Sequence, residues 1–249
     1  MSTSTINKDE VAKFTTMAQE WWDPNGKFKP LHKFNPVRLA YIREQIIAHF
    51  ALDGTKREPF KKISILDVGC GGGLLCEPMA RLGAKVTGID ASQKNISIAE
   101  IHADASSLKI NYKATTSEDL AKNKTQFDIV LNMEVVEHVD NVPLYLASCA
   151  KLVKPGGLMF VSTLNRTAKS FALAIVGAEY VLNWLPKGTH DYNKFLTPDE
   201  IISMLKRNDM KVKDKTGVTY SPLKDKWRTS RDMSINYMLL MEKQALLEK

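Results

Sequence analysis

Residues 63–90 read ISILDVGCGGGLLCEPMARLGAKVTGID. An apolar run over 63–68 has the make-up of a buried strand and breaks into a cluster at Gly69, Gly71, Gly72 and Gly73. The stretch 74–82 then reads as a helix, and 85–89 as a second strand ending in Asp90. Together they form one β-α-β unit, with glycines at its first turn and a carboxylate at the second strand's tip. Such a unit holds a nucleoside-bearing cofactor in the crevice beyond the strands' carboxyl ends.

The spacing of the glycines selects among cofactors. A dinucleotide turn follows G-x-G-x-x-G. Gly69 and Gly71 supply its first two glycines, but Leu74 stands in the third position. The glycines run instead as Gly69-x-Gly71-x-Gly73, preceded by Asp67. A carboxylate at the strand end is poor company for a diphosphate and suits a ligand bearing an amino or sulfonium cation. Missing side chains at Gly69 and Gly71 let the backbone approach an amino-acid portion closely. Asp90 can accept from two ribose hydroxyls.

Strands continue to alternate with helices downstream. A helix is expected over 92–105, a short strand over 109–113, a loop over 115–120 and a fourth strand over 127–132. A helix opens at 134–139 and resumes over 143–152. The turn Lys154-Pro155-Gly156-Gly157 leads into a fifth strand over 158–163. This rhythm predicts an α/β fold with a mostly parallel sheet and helices on both faces. Two further strands are expected at 210–220 and 234–241, joined by a basic loop with Lys224, Lys226 and Arg228. Thr197-Pro198-Asp199-Glu200 marks a helix start as a capping box.

Upstream, residues 1–10 are polar and expected to be disordered. Val11, Phe14, Met17, Ala18 and Trp21 follow helical spacing, and a second helix is expected over 37–50 with Pro36 at its start. This segment reads as a cap over the mouth of the following domain, although plain helix packing suffices for Trp21 and Trp22. The organisation is an N-terminal helical cap and linker (1–62), then one domain (63–249) with an apolar helical insertion at about 166–195. Within the insertion, 168–185 carries only Lys169 and Glu179 as charges. That stretch reads either as a buried or lid helix or as a segment lying on a membrane or lipid-like substrate.

The net charge of +7 is spread along the chain, so it admits an anionic partner without pointing to nucleic acid. Cys70, Cys76 and Cys149 show no metal spacing and read as reduced thiols of a cytosolic protein. No secretion signal is apparent.

The D-x-G-x-G-x-G turn followed by G-I-D resembles that of class I S-adenosylmethionine (SAM)-dependent methyltransferases. Ser117-Glu118-Asp119-Leu120 resembles their adenine loop, and Met133 falls where the family packs an apolar side chain on the cofactor. A closer resemblance is to the ubiquinone-biosynthesis O-methyltransferases. It is carried by Trp21-Trp22-Asp23, Phe28-Lys29-Pro30-Leu31-His32, Asn35-Pro36-Val37-Arg38, Met133-Glu134-x-x-Glu137-His138 and Ser162-Thr163-Leu164-Asn165-Arg166. Val176-Gly177-Ala178-Glu179-Tyr180, Pro186-Lys187-Gly188-Thr189-His190-Asp191 and Asn236-Tyr237-Met238-Leu239 extend it over nearly the whole chain. It departs at 53–62 and 211–233.

The resemblance implies a Rossmann-like sheet of seven strands with the last antiparallel. It implies two O-methylations of polyprenylated hydroxyphenols or catechols on the route to ubiquinone, with Arg38, Gly69, Asp90 and Met133 as cofactor contacts. A polyprenyl phenol or quinol substrate, peripheral contact with the inner membrane from the cytoplasm, and other enzymes of the same route follow as expected partners, and no nucleic acid. Three alternatives stand beside this reading. They are a methyltransferase for another small molecule or quinone precursor, an RNA methyltransferase, and a catalytically silent cofactor-binding scaffold of a quinone-synthesis complex.

Methyl transfer needs a phenolate, and a phenol's pKa is about 10, so a base or a metal should help. Glu134, Glu137 and His138 stand at i, i+3 and i+4 just beyond the fourth strand and would share one face of a helix. His138 can act as base with a carboxylate such as Glu137 orienting its ring. Alternatively, Glu134, Glu137 and His138 bind a divalent cation, magnesium by resemblance, although magnesium prefers oxygen ligands. A third reading is that the trio only shapes the pocket. His32 and His190 are further candidates to line it.

Overall fold

The computed structural model describes residues 4–172, 192–221 and 226–245. Its strands are β1 Ser64–Val68, β2 Lys85–Asp90, β3 Asn111–Ala114, β4 Phe127–Met133, β5 Val153–Leu164, β6 Met210–Ser221, β7 Lys226–Ser230 and β8 Asn236–Lys243. They form one sheet in the order β3-β2-β1-β4-β5-β8-β6-β7. The first five pair in parallel. Strand β8 lies antiparallel between β5 and β6, and β7 pairs antiparallel with β6 at the sheet's edge.

The expected mostly parallel α/β architecture is therefore present, with eight strands rather than seven. The additional strand is β7, which falls in the stretch read as a basic loop. Its sequence, KWRTS, holds one large apolar residue, and none of its residues is fully buried. An edge strand of this kind lacks the apolar alternation by which strands are recognised.

Among the described residues, eight α-helices accompany the sheet: α1 Lys8–Thr16, α2 Lys29–His49, α3 Cys76–Arg81, α4 Gln93–Ala105, α5 Ser117–Lys122, α6 Val142–Lys151, α7 Ala168–Ser170 and α8 Pro198–Lys206. Successive strand residues point to opposite faces. Ile65, Ile129, Phe160 and Leu240 thus meet Ile42 and Ile46 of α2, Met79 of α3 and Ile96 of α4. Leu66, Val130, Met159 and Leu239 meet Leu146 and Cys149 of α6 and Ile201 and Leu205 of α8. Two apolar cores, one on each face, hold the carboxyl ends of the parallel strands in place. The Thr197 capping box forms as expected: the Glu200 amide donates to the Thr197 hydroxyl, and the Thr197 amide donates to the Glu200 carboxylate.

Several local expectations are revised. Residues 4–10 are ordered: Thr5 is buried, and Asn7 caps α1 through a hydrogen bond from the Glu10 amide. Helix α2 starts eight residues earlier than expected, with Pro30 in its first turn and Pro36 inside it. An internal proline removes one helical hydrogen bond. The buried residues Phe34, Arg38, Tyr41, Ile42 and Ile46 offset that loss by seating the whole helix on the sheet. The loop expected at 115–120 winds into α5, because the Thr116 side chain caps it. The Lys154–Gly157 turn is part of β5.

Most of the apolar stretch 168–185 lies outside the described residues. Among the described residues, no helix is long and apolar enough to cross a membrane.

Candidate active site

A cavity of about 930 Å³ opens at the carboxyl ends of the parallel strands. Arg38, Asp67, Gly69, Gly71, Asp90, Met133, Glu134, Glu137 and His138 all line it. The residues singled out from sequence thus meet in one place, although they come from α2, the tips of β1, β2 and β4, and the turn after β4.

The glycine turn is tied down by its backbone. The amides of Gly69 and Cys70 both donate to the Ile89 carbonyl, at 2.8 and 2.9 Å. Gly69 and Gly71 take φ of +70° and +53°, a region glycine enters without steric cost. At Gly71 a second constraint acts: a Cβ there would lie 2.3 Å from the Trp21 ring. Trp21 stacks on Phe28 with centroids 3.7 Å apart and donates its indole N–H to Asn95 Oδ1 at 3.1 Å. Trp22 donates to the Gly72 carbonyl at 2.9 Å and stacks on His102. The tryptophans therefore clamp the N-terminal segment onto the glycine turn, and Trp21 lines the cavity. Plain packing between helices does not describe them.

Asp90 is held by three donors: the amides of Gly71 (3.0 Å) and Ser92 (2.8 Å) and the Asn95 side chain (3.2 Å). Burial raises its pKa against these bonds. Asp67 accepts from the Cys76 thiol at 3.2 Å. Burial pushes its pKa up to about 7, although the Arg38 charge pulls the other way.

Arg38 is itself buried. One of its terminal nitrogens donates to Asn35 Oδ1 at 2.6 Å and the other lies 3.9 Å from Glu134 Oε1. Its guanidinium sits 4.4 Å above the Phe34 ring, and its Nε is buried without a hydrogen-bond partner. An unsatisfied charged donor in a cavity wall marks a place where a ligand's anion would be welcome.

The turn after β4 differs from its expected form. Glu134 has φ of +59°, and only Val136–His138 coil into a short 3-10 turn, so the three side chains do not share a helix face. The Glu134 amide donates to the Ser162 carbonyl and its carboxylate accepts from the Ser162 hydroxyl. His138 Nδ1 lies 3.0 Å from Glu10 Oε2. Glu137 is buried, neither of its oxygens has a hydrogen-bond partner, and burial pushes its pKa up to about 7.

Magnesium needs oxygen ligands in near-octahedral order. With Glu134 turned to Ser162 and Arg38, and His138 turned to Glu10, these side chains do not offer it. Among the described residues, no three His, Cys, Asp or Glu side chains gather as a metal set.

Ser117 and Glu118 of the expected adenine loop line the cavity, whereas Asp119 pairs with Lys122. His32 faces the Trp21 carbonyl at 2.9 Å and is not on the cavity wall. His190 lies outside the described residues. Three features were missed from sequence. One is Glu10. Another is Trp21. The third is an apolar wall of Phe34, Val218 and Trp227, with the Phe34 and Trp227 rings 4.9 Å apart. A helix cap at Asn7 was a local signal for the first; nothing local signals the wall.

A family model described as a methyltransferase domain matches residues 39–214. The ubiquinone biosynthesis O-methyltransferase of Chelativorans sp. (strain BNC1) is 59% identical over 96% of this chain and 95% of its own length. That of Bartonella bacilliformis is 58% identical over 96% and 97%. The fold is shared with the solved magnesium protoporphyrin IX methyltransferase of Synechocystis PCC 6803 with bound SAM. Its TM-score is 0.62 at 16% identity, over 97% of this chain and all of that one. By both the domain match and the near-full-length identity, the chain belongs to the ubiquinone biosynthesis O-methyltransferase family.

Proposed function

We propose that the chain is a SAM-dependent O-methyltransferase acting on ring hydroxyls of polyprenylated phenols and catechols in ubiquinone biosynthesis. One observation carries this reading: a single cavity joins Arg38, the glycine turn and Asp90 to Glu137 and His138. A methyl donor and an aromatic hydroxyl can therefore be held side by side, which is most of what such a reaction requires. The relatives' role in ubiquinone biosynthesis supports the acceptor class. So does the wall of Phe34, Val218 and Trp227, which suits an apolar tail beside the ring. Both O-methylations of the route present this same chemistry, and we assign both. In this reading residues 1–62 are the cap and linker and 63–249 the methyltransferase domain.

The residues fit the cofactor. When bound, SAM supplies an electrophilic methyl carbon on a sulfonium. The Arg38 guanidinium would donate to its carboxylate, Asp67 would accept from its ammonium, and Asp90 would accept from its ribose hydroxyls. Met133 would pack against it, and Gly69 and Gly71 would leave room for its amino-acid portion. His138 takes the proton from the acceptor hydroxyl. The oxygen so freed would accept the methyl carbon that bound SAM supplies, the C–S electron pair leaving with sulfur. Glu137 stabilises the imidazolium so formed.

Purified protein incubated with SAM and a prenylated catechol should give the methyl ether, read by mass spectrometry. Return of the intact catechol, with S-adenosylhomocysteine (SAH) still bound tightly, would favour the silent scaffold.

Asp67 makes the cofactor step pH-dependent. In the free protein its pKa is about 7, so below that it is largely protonated. A bound ammonium favours the carboxylate and lowers that pKa. Binding then releases a proton below about pH 7, and affinity rises with pH up to that point. Calorimetry at pH 6 in buffers of different ionisation enthalpy should report the release; an enthalpy independent of buffer refutes it.

We also place the enzyme at the cytoplasmic face of the inner membrane. Its acceptor is lipidic, and Phe171, near the start of the apolar stretch 168–185, is 45% exposed. Each buried methylene contributes about 0.8 kcal/mol to such attachment. Charged residues at Phe171, Ile175 and Tyr180 should abolish liposome binding with SAH affinity unchanged; unaltered liposome binding sinks the idea.

A further inference from the structure

His138 needs an orienting partner if it is to act as base, and the obvious candidates next to it in sequence do not serve. Neither oxygen of Glu137 has a hydrogen-bond partner, and Glu134 is engaged with Ser162. Among the described residues, the carboxylate that meets the ring is Glu10, whose Oε2 lies 3.0 Å from Nδ1. The partner comes from the N-terminal helix, 128 positions away in the chain.

The local structure explains how Glu10 gets there. Asn7 caps α1 by accepting from the Glu10 amide at 3.0 Å, which places Glu10 in the helix's first turn. Phe14, four residues on, shares its face and sets its ring edge-on to His138 at 5.1 Å. The segment is fastened to the far side of the histidine as well. The Asn7 side chain donates to Asp140 Oδ1 at 2.7 Å, and the Asp140 amide donates to the Thr5 carbonyl at 3.0 Å. The Thr5 hydroxyl reaches Glu118 at the foot of α5. The bond to His138 lowers the pKa of the Glu10 carboxylate against its burial, and Lys194, 3.8 Å from the other oxygen, adds to this.

We propose that Glu10 is a positioning residue for His138, and that the N-terminal helix thereby completes the active site. This rests on the reading of His138 as the base. With its Nδ1–H donating to Glu10, the imidazole presents Nε2 as the acceptor. The proton leaves the substrate hydroxyl oxygen for Nε2, and the resulting cation sits against the Glu10 carboxylate. Removing the carboxylate frees the ring to rotate and to change tautomer. Glu10 lines the cavity, but its carboxylate meets His138 rather than a residue assigned to the cofactor, so cofactor affinity should not depend on it.

Glu10→Ala, Glu10→Gln, His138→Ala and the double variant E10A/H138A test this, each checked for its melting temperature. His138→Ala should lower kcat about 100-fold or more, the usual yield of a general base. Glu10→Ala should lower kcat about 10- to 100-fold, with KM for SAM and Kd for SAH within about twofold. Glu10→Gln keeps a carbonyl oxygen to accept from Nδ1–H and should recover most of the loss. E10A/H138A should be no slower than H138A alone, because residues acting as a unit are not additive.

The proposal is overturned if Glu10→Ala keeps full kcat while His138→Ala is inactive. It is equally overturned if the two losses multiply, or if Gln and Ala are alike and both weaken SAH binding. A fully active His138→Ala would instead refute the base itself and remove the ground for Glu10.

Discussion

Gly71→Ala is expected to remove measurable SAH binding and to destabilise the protein by about 2–5 kcal/mol. Two independent costs add at this position. A residue with a Cβ at φ of +53° costs about 1–2 kcal/mol. The new methyl would also lie 2.3 Å from Cζ2 and 2.4 Å from Cη2 of Trp21, deep in contact with a ring that cannot bend away. Trp21 is held by its stack on Phe28 and its hydrogen bond to Asn95, so displacing it loosens the N-terminal cap; overpacking of this sort costs about 1–3 kcal/mol. The Gly71 amide also donates to Asp90, so a shifted turn carries the ribose-accepting carboxylate with it. Calorimetry with SAH and a thermal melt read the two effects separately. A variant that melts and binds like the parent would mean that the turn and Trp21 can adapt, and the account of both would fail.

Arg38→Met should weaken SAH binding about 100-fold or more while leaving the melting temperature of the free protein little changed. Losing one member of a buried, hydrogen-bonded charge pair costs about 2–5 kcal/mol of binding, and the pair here is Arg38 with the cofactor carboxylate. Stability of the free protein follows a different sum. In the absence of ligand, Arg38 is buried with an unsatisfied Nε, and its nearest carboxylate oxygen is 3.9 Å away. Methionine keeps the length and the contact with Phe34 and removes the desolvated charge, which costs little provided no carboxylate is left buried and unpaired. Glu134 keeps its bond from the Ser162 hydroxyl, so it is not stranded. Unaltered SAH affinity, measured by calorimetry, would show that Arg38 serves the fold rather than the ligand.

What was legible in the sequence shares one property: it is local. The unit at 63–90 announces itself because strand, glycines, helix and second carboxylate follow within 28 residues. Asp67 and Asp90 are readable as strand tips for the same reason, and Glu137 and His138 as residues beyond a strand. What was not legible is long-range. The Gly71 contact with Trp21 and the Glu10 contact with His138 join segments with no shared pattern. Glu134 was placed on a helix face because its spacing fits one, but its φ of +59° breaks the helix before it starts. Helix α2 was entered too late because Pro36 was taken as a start, when tertiary burial overrides its local cost. Strand β7 escaped because an edge strand need not alternate, and its Trp227 is understood only once Phe34 stands against it.

The position of β8 bears on how the chain reaches this fold. It comes last in chain order among the described strands, yet it is an interior strand of the sheet. Before it emerges, β5 has a bare edge along Leu158–Leu164, and the β6–β7 hairpin has nothing to dock on. An apolar strand with open hydrogen-bonding groups is a template for pairing with other chains. Sheet closure therefore waits until Asn236–Lys243 is available, and a chain stopped ahead of Asn236 is left with a sticky edge rather than being a shortened enzyme.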